Sequence, residues 1–265
     1  FLFLPSLLLQ FDRVAKDVAG DLTVLADDTR SLELPGLTQR VRKYLERIRD
    51  GLPLRGKPPG DNAIELWSND YLSIAGHPKI VRAQSDLLRG NRERPFMSAA
   101  LLAKNAPQRS VEGQLAAFLG VEDTVLCQSG WCANVDLLQT IADQDTPIYL
   151  DIYVHASLWE GARMSKAPIH PFRHNQPGSL AKKAQRHGPG IVVVDAIYSS
   201  NGDVCPMVEI VEVAEQHGCL LVVDESHSVG TYGANGEGLV ASLGLSDRVH
   251  YRTLSLSKAF ATRAG

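Results

Sequence analysis

None of the four cysteines, Cys127, Cys132, Cys205 and Cys219, stands in a CxxC pair or beside histidine at ligand spacing. The chain therefore offers neither a zinc-type ligand set nor a disulfide framework. Three of them border apolar runs, where reduced cysteine packs as a small hydrophobe, and a cytoplasmic protein without a metal site is the expectation. No charge of one sign dominates: 27 Lys and Arg against 30 Asp and Glu leave a formal net charge of −3. Without a basic field, nucleic acid drops out as an expected partner. No apolar run reaches membrane-spanning length. The opening FLFLPSLLL is apolar, yet it falls far short of the ~20 residues that cross a bilayer, and Pro5 interrupts it. It also lacks an initial methionine and a basic segment, which argues against a secretory signal. An incomplete start and a short segment that packs on a partner both stay open. Internal repeats and low-complexity tracts are missing too, so neither a repeat array nor a biased linker explains the chain.

What remains is enough for a catalytic domain. A length of 265 residues suits one large α/β domain or a domain with an appendage. Leu37, Val41, Tyr44, Leu45 and Ile48 keep helical spacing among Arg, Lys and Glu, and Gly51 is placed to end that helix. The turn residues from Pro53 to Asn62 read as a linker. The expected division is thus an N-terminal segment over residues 1–60 and a larger domain over residues 61–265. Pro78 opens a second amphipathic helix with Val81, Leu87 and Leu88 apolar, and a third from Gln108 to Leu119 carries Val111, Leu115 and Phe118. After Gly120, short apolar runs alternate with helical segments. TVLC precedes WCANVDLLQTIA, PIYLD precedes ASLWEGARM, IVVVD precedes MVEIVEVAEQHG, and CLLVVD follows. Runs of this length, rich in Val, Ile and Leu and separated by helices, predict a mostly parallel open sheet covered on both faces.

In such a sheet, ligands sit at the carboxyl ends of the strands. Asp151, Asp195 and Asp224 each end a strand-like run. A single strand-end aspartate is more often a helix cap or turn former. Asp224, Glu225 and His227 followed by the glycine-rich GTYGANGEG are harder to explain by capping alone. Lys258, among Ser255, Ser257, Ala259 and Phe260, has the small and apolar surroundings that lower a lysine pKa and make its amine nucleophilic. A surface lysine is the equal alternative for that residue taken alone. SGWCAN, Ser129 to Asn134, turns from a strand into a helix whose free amides could hold a phosphate. An acid, a lysine, an anion cradle and a histidine together describe the needs of pyridoxal phosphate, with His155 a candidate to stack on its ring. His170, His174 and His187 read as surface or turn histidines without a metal role. Trp67 and Trp159 read as core residues, and Lys182, Lys183 and Arg186 as a solvated helix face.

Ordered motifs from Ser68 to Gly265 resemble the α-oxoamine synthases, fold-type I pyridoxal-phosphate enzymes: SNDYLSIAGHP, SGWCANVDLLQ, HASLWEGA, YSSNGD, VVDESHSVGTYG and LSLSKAF. Within them, FMSAALL, HPFRHN and QRHGPGIVVVDAIYS look like the autoinducer synthases of bacterial quorum sensing. Other branches carry a glycine-rich segment where this chain has Pro95 to Leu102. The resemblance implies the large domain of the aspartate aminotransferase-like PLP-dependent transferase fold, stopping before the C-terminal domain. It implies pyridoxal 5'-phosphate as cofactor, with Lys258 as the Schiff-base lysine and Asp224 as partner of the pyridinium nitrogen. His227 and Ser199 would meet the ring hydroxyl and His155 would stack on the ring. Gly130 and Trp131 would cradle the phosphate, with Ser129 beside them and Ser255 reaching it. Asn69 and Tyr71 fall near the active-site entrance. The implied reaction condenses a fatty acyl-CoA with S-adenosylmethionine or 2-aminobutyrate to an α-aminoketone, in a homodimer. The rivals are another α-oxoamine synthase and a non-catalytic chain that keeps the fold as a binding subunit.

Overall fold

A computed structural model describes Gln39 and residues 68–90 and 107–265. The opening apolar stretch, the linker from Pro53 to Asn62 and the Pro95 to Leu102 segment lie outside the described residues. So does the helix expected over residues 37–48, except for Gln39, which is helical and exposed. The chain divides into two compact units, Phe1–Ile64 and Glu65–Gly265, and the described residues from 68 onward belong to the second.

Among the described residues from 68 onward, three helices come first: α1 (Pro78–Gly90), α2 (Pro107–Leu119) and α3 (Gly130–Ile141). They are followed by β1 (Ile148–Leu150), α4 (Ala156–Met164), α5 (Pro177–His187), β2 (Ile191–Asp195) and α6 (Met207–Gln216). Then come β3 (Leu220–Asp224), the short α7 (Leu239–Ser242), a single 3-10 turn (Ser246–Arg248) and β4 (Tyr251–Thr253). The four strands form one parallel sheet in the order β1-β2-β3-β4. Ile169 and Phe172 add parallel bridges beyond β1, to Ile148 and Asp151. Strands β1 and β2 are buried at every position, as a parallel sheet covered on both faces requires. Leu138, Leu158, Leu180, Ile210 and Val211 cover it from the helices.

The register decides where polar groups collect. Asp195 pairs with Asp224, and Asp224 with Thr253, so three polar side chains end adjacent strands in one row. The α/β architecture, the central strands and the helices between them agree with the alternation read from the sequence.

Two local expectations are corrected. TVLC is no strand of this sheet. Instead Leu126 N–H donates to Glu112 Oε1 at 2.8 Å, Thr124 Oγ1 donates to the Glu112 carbonyl at 2.7 Å, and Cys127 exchanges amide bonds with Gly265. The same contacts turn α2. Its buried residues are Glu112, Ala116 and Leu119, while Val111 is exposed, because the carboxylate that holds Leu126 must face inward.

Candidate active site

Helix α3 begins beside the polar row. Ser129 caps it, its hydroxyl accepting from Cys132 N–H at 3.1 Å, and Ala133 N–H bonds the Ser129 carbonyl. The cap uses the third amide of the helix and leaves those of Gly130 and Trp131 without an intrahelical acceptor. Two N–H groups at the positive end of a helix dipole make an anion cradle. Gly130 is required there: a Cβ would lie 2.7 Å from Ser255 Cβ and 2.9 Å from Ser255 Cα. Ser255 thus closes on the helix start, held by its N–H to Ser226 Oγ at 2.8 Å and by Ser257 Oγ at 2.7 Å from its own hydroxyl.

Asp224 is buried and oriented from two sides. Oδ2 accepts from Asn134 Nδ2 at 2.7 Å and Oδ1 from Ser226 N–H at 2.8 Å. Asn134 is fixed in turn by Thr253, whose hydroxyl donates to Oδ1 at 2.5 Å, and by its second amide hydrogen, which reaches Ser157 Oγ at 2.8 Å. Having accepted that hydrogen, Ser157 donates its own to His155 Nδ1 at 2.7 Å, and Ser157 N–H also points to Nδ1 at 3.3 Å. An imidazole nitrogen that receives donors is the unprotonated one, so His155 carries its proton on Nε2. Its ring meets Trp131 edge-on, at 5.8 Å between centroids. Asp195, nearly fully buried, accepts from His155 N–H at 3.1 Å. Burial first, then the Asp224 charge, pushes its carboxyl well above the usual range.

Lys258 is partly buried in the same neighbourhood. Burial lowers its pKa, and the charges of Asp224 and Asp195 pull the other way without cancelling that effect. The result is an amine more available for nucleophilic attack than a surface lysine. Among the described residues, Lys79, Lys166 and Lys182 are exposed instead.

His227 and Ser199 line a separate wall, a cleft of about 320 Å³ shared with Asn69, Tyr71, Ile197, Tyr198, Gly202 and Thr231. Tyr71 Oη lies 2.5 Å from His227 Nδ1 and 3.3 Å from Asn69 Oδ1. Burial and then the Lys258 charge push the His227 pKa down to about 4. Its ring should therefore titrate near 4 rather than 6.5 in the cofactor-free protein, as histidine ¹⁵N spectra would read directly. A midpoint near the ordinary value of 6.5 would put the ring in open water. Because the folded value lies below the unfolded one, the unfolded chain binds the proton first. This group's contribution to stability is present above about pH 6.5 and is lost as pH falls toward 4.

Every residue singled out in the sequence for the cofactor lies in the described part, and the structure sorts them into groups. Ser129, Gly130, Trp131 and Ser255 gather at the α3 start, Asp224, His155 and Lys258 at the strand ends, and His227 and Ser199 at the cleft. Sequence reasoning placed Asp195 at the strand ends without giving it a role, and it missed Asn134 and Thr253 as members. Asn134 did leave a signal, a polar residue one helical turn after Gly130 on the face that carries Leu138. Glu225 leaves the group: its carboxylate meets Arg252, Ser228 Oγ and Val240 N–H.

The arrangement fits pyridoxal phosphate on observations independent of any relative. An amine with lowered pKa, an oriented carboxylate and a helix-start cradle cleared by Gly130 are its three needs. Among the described residues, no group of three or more His, Cys, Asp or Glu side chains could hold a metal. No described helix is long and apolar enough to cross a membrane.

The aminotransferase class I and II profile matches residues 61–265. The chain belongs to that family. Relatives include the CAI-1 autoinducer synthase of Vibrio campbellii, 46% identical over 210 residues, 79% of this chain and 53% of that protein. The 8-amino-7-oxononanoate synthase of Coprothermobacter proteolyticus is 32% identical over 210 residues, 78% of this chain and 53% of that one. Among solved structures, serine palmitoyltransferase (SPT) with PLP superposes at a TM-score of 0.75 with 27% identity, over 88% of this chain and 62% of the other. The chain spans about half the length of the curated relatives it matches. The aminotransferase class I and II fold accounts for the covered parallel sheet and for a polar row at its carboxyl edge.

Proposed function

We propose that the chain holds pyridoxal 5'-phosphate and belongs to an acyltransferase that condenses a fatty acyl-CoA with an amino-acid-type donor. S-adenosylmethionine or 2-aminobutyrate is the donor, and the product is an α-aminoketone autoinducer of quorum sensing. The observation that carries the reading is Lys258, with its pKa lowered, in the field of Asp224 and Asp195 at the strand ends beside the α3 start. The likeness to the CAI-1 autoinducer synthase supports the choice of branch.

Bound at this site, the cofactor would withdraw electrons from the substrate α-carbon, easing loss of its proton and of carbon dioxide. Gly130 and Trp131 N–H groups hold the phosphate, with the Ser129 and Ser255 hydroxyls beside it. Asp224, kept in place by Asn134 and Ser226, holds a proton on the ring nitrogen. His155 would cover one ring face, and its Nε2–H tautomer is set by Ser157. His227 and Ser199 meet the ring hydroxyl. Lys258 Nζ would hold the cofactor and, with substrate bound, would take the α-proton. The substrate then attacks the acyl thioester, and coenzyme A and carbon dioxide leave. We place this reaction in the cytoplasm and in a homodimer.

The test is release of free coenzyme A thiol by the full gene product loaded with cofactor, across acyl-CoAs of increasing chain length and a panel of amino donors. Release that requires both substrates, and that is fastest with a medium-chain acyl-CoA and one of the two named donors, is the expected result. Thiol release only with other amino acids would move the protein to another α-oxoamine synthase activity, such as that named for the Coprothermobacter relative. No release with any pair, despite a bound cofactor, would sink the acyltransferase reading.

A further inference from the structure

The histidine of PFRHN that sequence reasoning assigned to a turn is instead an internal strut. The His174 side chain is only 14% exposed, and both ring nitrogens are engaged. Nδ1 lies 2.9 Å from Asp151 Oδ1, and Nε2 lies 3.0 Å from Asp203 Oδ2. Tyr153 packs against the ring at 4.5 Å between centroids, and Tyr198 meets it edge-on at 4.4 Å. Both partners are carboxylates, so a ring N–H on either side donates to a carboxylate oxygen. Such charge-assisted bonds are the stronger kind.

The two carboxylates differ in what they are attached to. Asp151 is buried at the end of β1, where Oδ1 also accepts from Tyr153 N–H at 2.9 Å and Oδ2 from Asn175 N–H at 2.8 Å. It is a fixed point. Asp203 lies on the loop between Ile197 and Val204, which are joined by a single antiparallel bridge. Within that loop Asn201 Nδ2 donates to Asp203 Oδ2 at 2.7 Å, and Tyr198 N–H donates to the Asp203 carbonyl at 3.0 Å. A second strut runs from Asn175 Nδ2 to the Val204 carbonyl at 3.1 Å. The segment of His174 and Asn175 therefore ties a loop to the sheet edge, and this loop carries Tyr198, Ser199 and Gly202 into the cleft that also holds His227 and Tyr71. Ser199 is exposed, so its place depends on where the loop is held rather than on its own burial.

We propose that His174 is a positioning residue, which clamps the 197–204 loop to the end of β1 through Asp151 and Asp203 and so holds Ser199 at the cofactor side of the cleft. The role assigned to Ser199 rests on the pyridoxal-phosphate reading, whereas the clamp itself does not.

The first arm of the test needs no cofactor: amide hydrogen exchange of the full gene product, compared with His174→Ala and Asp203→Ala. Exchange at the Tyr198, Gly202 and Cys205 amides should rise at least tenfold in both variants, with the β3 amides unchanged. Asp203→Ala leaves the buried Asp151 contact intact, so it carries the arm if His174→Ala fails to fold. Unchanged loop protection would overturn the clamp. The second arm uses the loaded protein and reads the pH midpoint of its visible band in His174→Ala, Ser199→Ala and the double variant. The midpoint should shift in each single variant, with no further shift in the double one. Additive shifts, or none in His174→Ala, would overturn the link to Ser199, and a general loss of stability would not produce the non-additive pattern. Should the folded wild type show no visible band with added pyridoxal phosphate while the loop amides still respond, the cofactor reading fails and the clamp stands.

Discussion

Lys258→Ala in the full gene product should remove the visible absorption that appears on adding pyridoxal phosphate and lower turnover by ~1000-fold or more. The estimate joins loss of the attachment point to loss of a general base, which by itself accounts for roughly 100- to 10,000-fold. The lysine pKa is lowered by burial, so a larger share of the amine is free than for a surface lysine at the same pH. The measurement is a pair of spectra with turnover alongside, on variants whose circular dichroism matches the wild type. A band that survives in Lys258→Ala would mean another amine takes the cofactor, and the strand-end carboxylates would need a different explanation. Asp224→Asn makes the complementary control. It keeps the attachment, so the band should persist while turnover falls.

Much of this was legible in the sequence because strand ends in a parallel α/β fold are where chemistry collects. IVVVD and LLVVD name β2 and β3 outright, and their last residues are the buried carboxylates of the site. The capping serine and the glycine of SGWCAN likewise mark the helix start. What stayed hidden depends on register and side-chain partners. Thr253 joins the site only because β4 aligns it with Asp224. β4 itself was missed, since Tyr251, Arg252 and Thr253 form no apolar run. His174 looked like a turn residue because the two carboxylates that hold it lie 23 and 29 positions away in the chain. The buried face of α2 was misjudged for a related reason: periodicity places apolar residues inward, but Glu112 has an amide to satisfy at Leu126.

The neighbouring acids of DESHS show how one short motif serves two ends. Asp224 is held by Asn134 and Ser226 at the candidate site, while Glu225 meets Arg252, accepts from Ser228 Oγ at 2.9 Å and accepts from Val240 N–H at 3.0 Å. Arg252 spreads its remaining donors to the Leu119 carbonyl at 2.9 Å and the Glu237 carbonyl at 2.6 Å. Gly238, at φ +103°, admits this contact, because a Cβ there would come within 2.6 Å of Glu225 Oε1. The pair is almost wholly buried, with side-chain exposures of 4% and 0%. Removing one partner of such a pair leaves the other charged and desolvated, and costs about 3–5 kcal/mol. Glu225→Ala should therefore lower unfolding stability by about that amount in denaturant titrations of the full gene product. Glu225→Leu combined with Arg252→Met should cost less than Glu225→Ala alone, since no charge is stranded. A loss under about 1 kcal/mol for Glu225→Ala would be the behaviour of a solvated surface pair and would contradict the buried geometry. The folded fraction of the variant should keep its visible band, because Glu225 touches β4 and the 228–240 loop rather than the cofactor residues. Glu225 thus secures the strand that brings Thr253, and through it Asn134, to Asp224.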